Sequence, residues 1–186
     1  MRVIGGAFRG RRLFAPEGTA TRPTAAKVRE ALFDILGERV RDSLFLDLYS
    51  GTGAVGIEAL SRGAGRAVFV ERAGRALAVL RRNLDALGLG PRSLVLPVPA
   101  EKALAVLAER GLQVYLAFAD PPYAAAGRAR VLEALGEAEA VWAPGALLAV
   151  EHSAAALPEP PPGFGPVRSY RYGDTGLSLF ARPAAS

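Results

Sequence analysis

The stretch "LDLYSGTGAVG", residues 46–56, decides the fold, because an apolar run passes through a glycine turn into the start of a helix. Residues 51–56 match G-x-G-x-x-G, which lets the backbone approach an adenosine-containing cofactor at the end of a β-strand. Glu71 follows about 20 residues later, at the end of a second apolar run, where an acidic side chain binds ribose hydroxyls. Several cofactor classes share this pattern, and a glycine turn that serves only tight helix packing has the same sequence.

Beyond this stretch, apolar strand-like runs alternate with segments of helical periodicity. The runs are "LFLDLYS", "RAVFVE", "SLVLPV", "VYLAFAD" and "ALLAVEH". This alternation predicts an α/β, Rossmann-like fold, in which a mostly parallel sheet has helices on both faces. Two further runs, "VRSYRYG" and "TGLSLFAR", flank Gly173 and Asp174 after a proline-rich loop, and they predict a closing antiparallel hairpin.

The basic charge is concentrated at the N-terminal end. Residues 1–41 hold nine basic and four acidic side chains, an excess that equals the net charge of +5 of the whole chain. Codon bias explains arginine in place of lysine but not this clustering, so we predict that this end contacts nucleic acid. We expect one compact domain, with a basic hairpin and helix over residues 1–41 and an α/β core over residues 42–186. On the helix, Arg29 and Glu30 are expected to point away from the core.

The composition excludes several kinds of site. The chain has no cysteine and a single histidine, His152, so disulfides and cysteine nucleophiles are excluded, and we expect no metal site. We interpret His152 as a polar surface residue at the end of the fifth strand rather than a base. No apolar run has the length of a membrane span, and the N-terminus lacks the apolar core of a signal peptide, so we expect no membrane contact and a cytoplasmic protein. We also expect a monomer.

Asp47 separates two classes of cofactor. A carboxylate just before a loop that binds pyrophosphate would repel the phosphates, whereas S-adenosylmethionine has no phosphate and carries an ammonium and a sulfonium group. We therefore favour S-adenosylmethionine over a nicotinamide dinucleotide. Its methionine and ribose parts would lie against the backbone of Gly51 and Gly53, and Glu71 would bind the ribose hydroxyls.

The stretch "FADPPY", residues 118–123, ends the fourth strand with a carboxylate, two prolines and an aromatic ring. The prolines remove two backbone donors and fix two φ angles, which suits either a simple turn or a stiff catalytic segment. In a catalytic segment, Asp120 and the Pro121 carbonyl would accept the two N–H groups of an exocyclic amine and turn its lone pair toward a methyl group. Pro121 and Pro122 would hold the carbonyl in place, and Tyr123 would stack on the base.

These motifs resemble the RsmD family, the bacterial methyltransferases that modify the N2 amine of a guanine in small-subunit (16S) ribosomal RNA. The blocks that carry the resemblance are "RVIGGAFRGRRL", "TRPTAAKVREALFDIL", "LDLYSGTGAVGIEALSRGA", "VFVE", "ADPPY" and "YGDTGLSLF". The resemblance implies a class I S-adenosylmethionine-dependent methyltransferase fold with S-adenosylmethionine as cofactor. It also implies ribosomal RNA, in an assembled or assembling small subunit, as partner.

The same resemblance, together with the basic N-terminal blocks, assigns the site residues. The catalytic residues are Asp120, Pro121, Pro122 and Tyr123. The cofactor-binding residues are Asp47, Ser50, Gly51, Gly53, Glu71, Ala100 and Glu101. The RNA-binding residues are Arg2, Arg9, Arg11, Arg12, Arg22 and Arg29.

Two other functions stay open on the sequence. The "DPPY" motif suits any planar amine, so a DNA adenine or a protein amide is an alternative acceptor. A non-catalytic RNA-binding protein with a vestigial cofactor fold is the other. Asp47, Gly51, Glu71 and "DPPY" together argue against the binder, since it has no use for them all.

Overall fold

A seven-stranded sheet organises this computed structural model, which describes residues 1–15, 23–121 and 125–184. The strands are β1 (Leu44–Leu48), β2 (Arg66–Val70), β3 (Ser93–Leu96), β4 (Val114–Ala119), β5 (Trp142–Ser153), β6 (Gly165–Tyr172) and β7 (Thr175–Ala181). Their order in the sheet is β3-β2-β1-β4-β5-β7-β6. Strands β1 to β5 are parallel, and β7 pairs antiparallel with both β5 and β6. The predicted α/β sheet with its closing hairpin is confirmed.

Two layers of helix cover the sheet. The helices are α1 (Pro23–Leu36), α2 (Ala54–Ser61), α3 (Gly74–Ala86), α4 (Ala100–Glu109) and α5 (Ala125–Glu137). Apolar side chains of α1, α2 and α3 pack on one face of the sheet, against residues that include Phe45, Phe69 and Phe118. Those of α4 and α5 pack on the other face, against residues that include Leu46 and Leu48. Among the described helices, none combines the length and the apolar character needed to cross a membrane.

The strand order creates a crevice at one edge of the sheet. From β1 the chain builds outward through β2 to β3, then returns to place β4 on the other side of β1. In open α/β sheets, ligands bind at the carboxyl ends of the strands where the order reverses in this way. The loops that follow β1 and β4 therefore border the expected ligand site.

The N-terminal segment, residues 1–15, lies across α2 and α3. The predicted hairpin is reduced to a single antiparallel bridge between Arg2 and Arg12. Glu58 of α2 is fully buried, and its carboxylate accepts hydrogen bonds from the backbone N–H groups of Ile4 and Gly5 at 2.8 and 2.7 Å. Side chains of the helices thus satisfy backbone groups that an isolated hairpin would leave to water.

Asn83 of α3 makes a second attachment for this segment. Its side-chain oxygen accepts a hydrogen bond from the Phe14 N–H at 2.7 Å. Its amide nitrogen donates to the carbonyls of Phe14 and Thr52 at 3.1 and 2.9 Å. One buried amide therefore joins the N-terminal segment to the loop that follows β1.

Arg29 does not point away from the core, and that prediction is wrong. Its side chain is 7% exposed and lies 3.8 Å from the Glu58 carboxylate, while its guanidinium donates to the Arg2 carbonyl at 2.9 Å. Glu58 thus has two cations beside it, Arg29 of α1 and Arg62, whose Nε lies 3.0 Å from the Glu58 carboxylate. Arg29 is therefore a support for the N-terminal segment, which removes it from the expected RNA-binding set. Glu30 is exposed, as predicted.

Candidate active site

The glycine loop between β1 and α2 is held in a conformation that requires glycine. Gly51 and Gly53 have φ angles of +55° and +80°. The Gly53 N–H donates to the Ser50 carbonyl at 2.7 Å, and α2 starts at the next residue. A Cβ atom on Gly53 would meet the side chains of Leu80, Ile57 and Phe69, and a φ of +80° is one that L side chains rarely adopt, so glycine is favoured at this position.

Asp47 and Ser50 hold this loop from inside. Asp47 is 1% exposed, and its carboxylate accepts a hydrogen bond from the Gly56 N–H, in the first turn of α2, at 2.8 Å. The Ser50 hydroxyl donates to the Asp47 carbonyl at 2.6 Å. The sequence did not reveal this internal role. Direct contact of either side chain with a cofactor stays a prediction.

The environment of Asp47 favours a positively charged ligand nearby. Burial raises the pKa of Asp47 to about 7, the Gly56 hydrogen bond opposes this, and the charges of Asp120 and Glu71 raise it further. A cation placed among these carboxylates would stabilise their charged forms. The prediction that Asp47 favours a cationic cofactor over a phosphate-bearing one fits this electrostatic arrangement.

Glu71 connects the loops that follow β1 and β2. Its carboxylate accepts hydrogen bonds from the N–H of Gly51 at 2.9 Å and from that of Ala73 at 2.8 Å. The pairing of Asp47 with Phe69 in the sheet brings these distant parts of the sequence together. Each carboxylate oxygen has a second lone pair, so ribose hydroxyls can still donate to Glu71.

A cleft of about 320 Å³ opens beside Glu71. Ala100 and Glu101, the predicted adenine-side residues, line the same cleft, and Tyr49 and Arg130 border it as well. Partial burial raises the pKa of Tyr49 to about 12, with the Glu101 charge adding to the effect, so its hydroxyl remains a donor at neutral pH. Tyr49 and Arg130 were not predicted, because neither belongs to the glycine pattern.

The structure brings Asp120 to the same edge of the sheet. Ala119 pairs with Leu48 on β1 and with Val150 on β5, so Asp120 lies between the start of the glycine loop and Glu151. Loss of water around the carboxyl groups raises the pKa of Asp120 to about 6 and that of Glu151 to about 7, and the Asp120 charge adds to the second effect. Pro121 is buried. Pro122 and Tyr123, like Arg22 of the basic set, lie outside the described residues.

His152 is buried rather than on the surface, so that expectation is wrong. It is 3% exposed, and its Nε2 and Nδ1 atoms lie 2.8 Å from the Ser178 hydroxyl and the Ser153 carbonyl. Burial lowers the pKa of His152. Because side chains alternate along a strand, His152 projects to the opposite face of β5 from Glu151. Its ring nitrogens have partners within the protein, which accounts for its presence without catalysis.

Exposed arginines of the N-terminal segment, residues 1–15, form a basic surface. Arg2, Arg9, Arg11 and Arg12 are exposed, as their predicted RNA-binding role requires, although no contact with RNA follows from exposure alone. The α3 helix extends this surface, since Arg82 stacks on the Phe14 ring at 3.6 Å and Arg11 donates to the Ala86 carbonyl at 3.4 Å. Counting charge along the sequence missed the α3 part, because only the fold brings it beside residues 1–15.

Comparison with known proteins identifies the family. The family model described as "Conserved hypothetical protein 95" matches residues 1–181 of this chain. The "Ribosomal RNA small subunit methyltransferase D" of Escherichia coli (strain K12) is 38% identical over 123 residues, which cover 66% of this chain and 60% of that protein. The chain belongs to the RsmD family.

The likeness of this RsmD-family chain to other proteins extends over its whole length. "Putative rRNA methyltransferase YlbH" of Bacillus subtilis (strain 168) is 36% identical over 182 residues, which cover 98% of this chain and 99% of that protein. A solved structure, "Putative methyltransferase yhhF from Escherichia coli", has a TM-score of 0.85 and 34% identity, and the match covers 100% of this chain and 99% of that chain. The predicted class I S-adenosylmethionine-dependent methyltransferase fold is confirmed.

Proposed function

We propose that this protein transfers a methyl group from S-adenosylmethionine to the exocyclic N2 amine of a guanine in small-subunit ribosomal RNA. The observation that carries the proposal is the register of β1 with β4, which sets Asp120 beside the glycine loop. Membership of the RsmD family and the names of the rRNA methyltransferases to which the chain is similar support the RNA substrate.

The residues of the site suit this cofactor. Bound S-adenosylmethionine supplies a methyl group on a positively charged sulfur. The cleft at Glu71 offers a carboxylate for the ribose and a partly apolar wall for the adenine, formed by Val98, Ala100 and Val131. Asp47, Asp120 and Glu151, whose pKa values are all raised, offer negative charge for the cationic part.

The chemistry assigned to Asp120 is positioning and charge stabilisation. The lone pair of an exocyclic amine is delocalised into the base, so the amine is a weak nucleophile until it is rotated out of the base plane. Asp120 and the Pro121 carbonyl would accept its two N–H groups and direct the lone pair at the methyl carbon. Bound S-adenosylmethionine would supply the methyl carbon for the new C–N bond, and its sulfur would keep the electrons of the C–S bond. The positive charge on nitrogen, stabilised by Asp120, is then removed when a proton leaves to water.

The basic surface of residues 1–15 and α3 would hold the RNA by its phosphates. Such contacts position a nucleic acid without reading its sequence, and they weaken with salt. The surface lies on the same side of the sheet as the face that carries Asp120, since α2 and α3 cover that face. RNA bound there could therefore extend toward the strand ends.

Labelled S-adenosylmethionine tests this function. The protein would be incubated separately with small ribosomal subunits, large subunits, DNA and total protein, each from cells that lack the gene. Label in the small-subunit RNA, recovered as N2-methylguanosine after digestion to nucleosides, is the expected result. Label in DNA adenine or protein amide would replace the proposal with the corresponding alternative, and no transfer to any pool would favour the non-catalytic binder.

A further inference from the structure

We infer that Glu151 accepts a hydrogen bond from the N1–H of the target guanine and thereby selects guanine over bases that lack this donor. The inference rests on the proposed function, because it concerns the base that Asp120 orients. It adds a specificity-determining residue on β5 to the "DPPY" segment.

The sheet places Glu151 at the right position for this contact. Ala119 of β4 pairs with Val150 of β5, which is a neighbouring parallel strand. Asp120 and Glu151 are the next residues after this pair. Such strands lie about 4.8 Å apart, and residues that are level in them project to the same face. The two carboxylates therefore face the same space, beyond the end of β4 and beside the last residues of β5, and the charge of Asp120 adds to the raised pKa of Glu151.

Glu151 also lacks a role inside the described part of the protein. It is half-buried and pairs through its backbone with β7, where its partner Leu177 is fully buried. The hydrogen bonds and salt bridges between the described residues include none to its side chain. His152, the next residue, has protein partners for both ring nitrogens. The Glu151 carboxylate is therefore open to solvent at the strand ends, where a donor on a ligand can replace water.

The edge of guanine matches a pair of adjacent acceptors. Guanine carries N1–H directly beside its N2 amine, so one carboxylate can take N1–H while Asp120 and the Pro121 carbonyl take the amine. Adenine and 2-aminopurine have an unprotonated N1, whose lone pair would face the Glu151 carboxylate. Sites built to hydrogen-bond a donor reject analogues that lack it, because a buried polar group is then left unpaired.

A base substitution at the target position tests this inference. The methylated guanine is first mapped on small subunits, and subunits are then assembled from rRNA that carries guanine or 2-aminopurine at that position. At about pH 8.5, where Glu151 is mostly ionised and can only accept, the native protein should prefer guanine, in kcat/KM, by about 10- to 100-fold. In Glu151→Gln the amide N–H₂ can donate to N1 of 2-aminopurine. The ratio of kcat/KM for guanine to that for 2-aminopurine should therefore fall to within a few-fold of one, or the preference should reverse. Glu109→Gln, an exposed residue at the end of α4, is the matched control and should keep the native preference.

The outcomes separate this inference from the proposed function. If folded Glu151→Gln keeps the native preference for guanine, Glu151 does not read N1–H, while recovery of N2-methylguanosine would still support the function. If the native protein yields another methylated product, both are overturned. A melting curve for each variant shows whether it is folded. A purely structural Glu151 would lower the rates on both bases equally and leave their ratio unchanged, which also overturns the inference.

Discussion

Carboxylates in two regions of this protein are held in opposite ways. Glu58, under the N-terminal segment, is fully buried and receives hydrogen bonds from Ile4, Gly5 and Arg62. Asp120 and Glu151 stand at the ends of β4 and β5, and no hydrogen bond or salt bridge between the described residues reaches either side chain. A charge satisfied within the chain stabilises the fold, whereas a carboxylate without a donor at a ligand-binding edge is available to a ligand.

Replacing Glu58 should destabilise the packing of the N-terminal segment. Glu58→Ala leaves Arg29 as a buried charge and two backbone N–H groups without partners, so we expect the free energy of unfolding to fall by about 3–5 kcal/mol. Urea unfolding measures this loss. Glu38→Ala is the control, because its salt bridge with Arg41 is exposed on both sides and should contribute less than about 1 kcal/mol. Equal losses in the two variants would show that Glu58 is not a structural centre.

Replacing Asp120 should affect activity and leave the fold largely intact. Asp120→Ala removes a group that stabilises charge in the transition state, so the single-turnover rate of methyl transfer should fall by about 10²–10³-fold. Asp120→Asn keeps one acceptor oxygen and should retain more activity. Both variants should melt close to the native protein and keep RNA affinity. Near-normal turnover by folded Asp120→Ala would instead show that "FADPPY" is only a turn out of the sheet.

The raised pKa values predict how stability depends on pH. Burial raises the pKa values of Asp47 and Glu151 in the folded protein to about 7, above their ordinary values of 3.8 and 4.5, so the folded protein binds more protons than the unfolded chain between these limits. The contribution of these two groups to the free energy of unfolding is therefore greatest below about pH 4, and this contribution is lost as the pH rises to 7. The shifts correspond to at most about 3–4 kcal/mol per group, and solvent around the half-buried Glu151 reduces its contribution. Glu151→Gln should flatten the fall in Tm between pH 4 and 7, and an unchanged slope would contradict the assignment.

The exposed arginines should give the smallest effect, on salt dependence. Replacing Arg9, Arg11 and Arg12 with alanine should reduce the slope of log affinity for rRNA against log salt by up to about 0.7–0.9 per lost phosphate contact. Affinity for S-adenosylmethionine should hardly change. Arg110→Ala is the control and should keep the native slope, because Arg110 is exposed directly after α4, which packs on the other face of the sheet. If the triple variant keeps it too, these arginines do not neutralise phosphates.

The parts of the fold and site that the sequence predicts are those set by local pattern. The glycine loop, Glu71 after β2 and the closing hairpin follow from strand alternation and turn residues, and the structure places all three as expected. Asp120 falls beside the glycine loop because β4 pairs with β1, a pairing that the structure shows and the strand alternation alone does not specify. Local patterns of this kind predict the site correctly because the parallel sheet brings the carboxyl ends of its strands to one edge.

The features that the sequence did not predict depend on contacts between residues that are far apart in the sequence. Arg29 reads as an exposed helical arginine until Glu58 of α2 is placed beside it. His152 reads as a surface residue until β7 supplies Ser178. Charge counts missed Arg82, since its partner Phe14 belongs to another part of the sequence. No periodicity in the sequence encodes these pairs, so only the assembled fold reveals which polar residues are used internally.

The bridge made by Asn83 also bears on how the molecule opens. Because one amide binds both Phe14 and Thr52, lifting the N-terminal segment away removes two of the three hydrogen bonds that fix Asn83 beside the glycine loop. The two elements should then open as one cooperative unit. In hydrogen-deuterium exchange under native conditions, the N–H groups of Phe14 and Gly53 should exchange with similar protection, although 69 residues of sequence separate Phe14 from its partner Asn83. The stability of the cofactor loop therefore depends in part on the basic N-terminal segment.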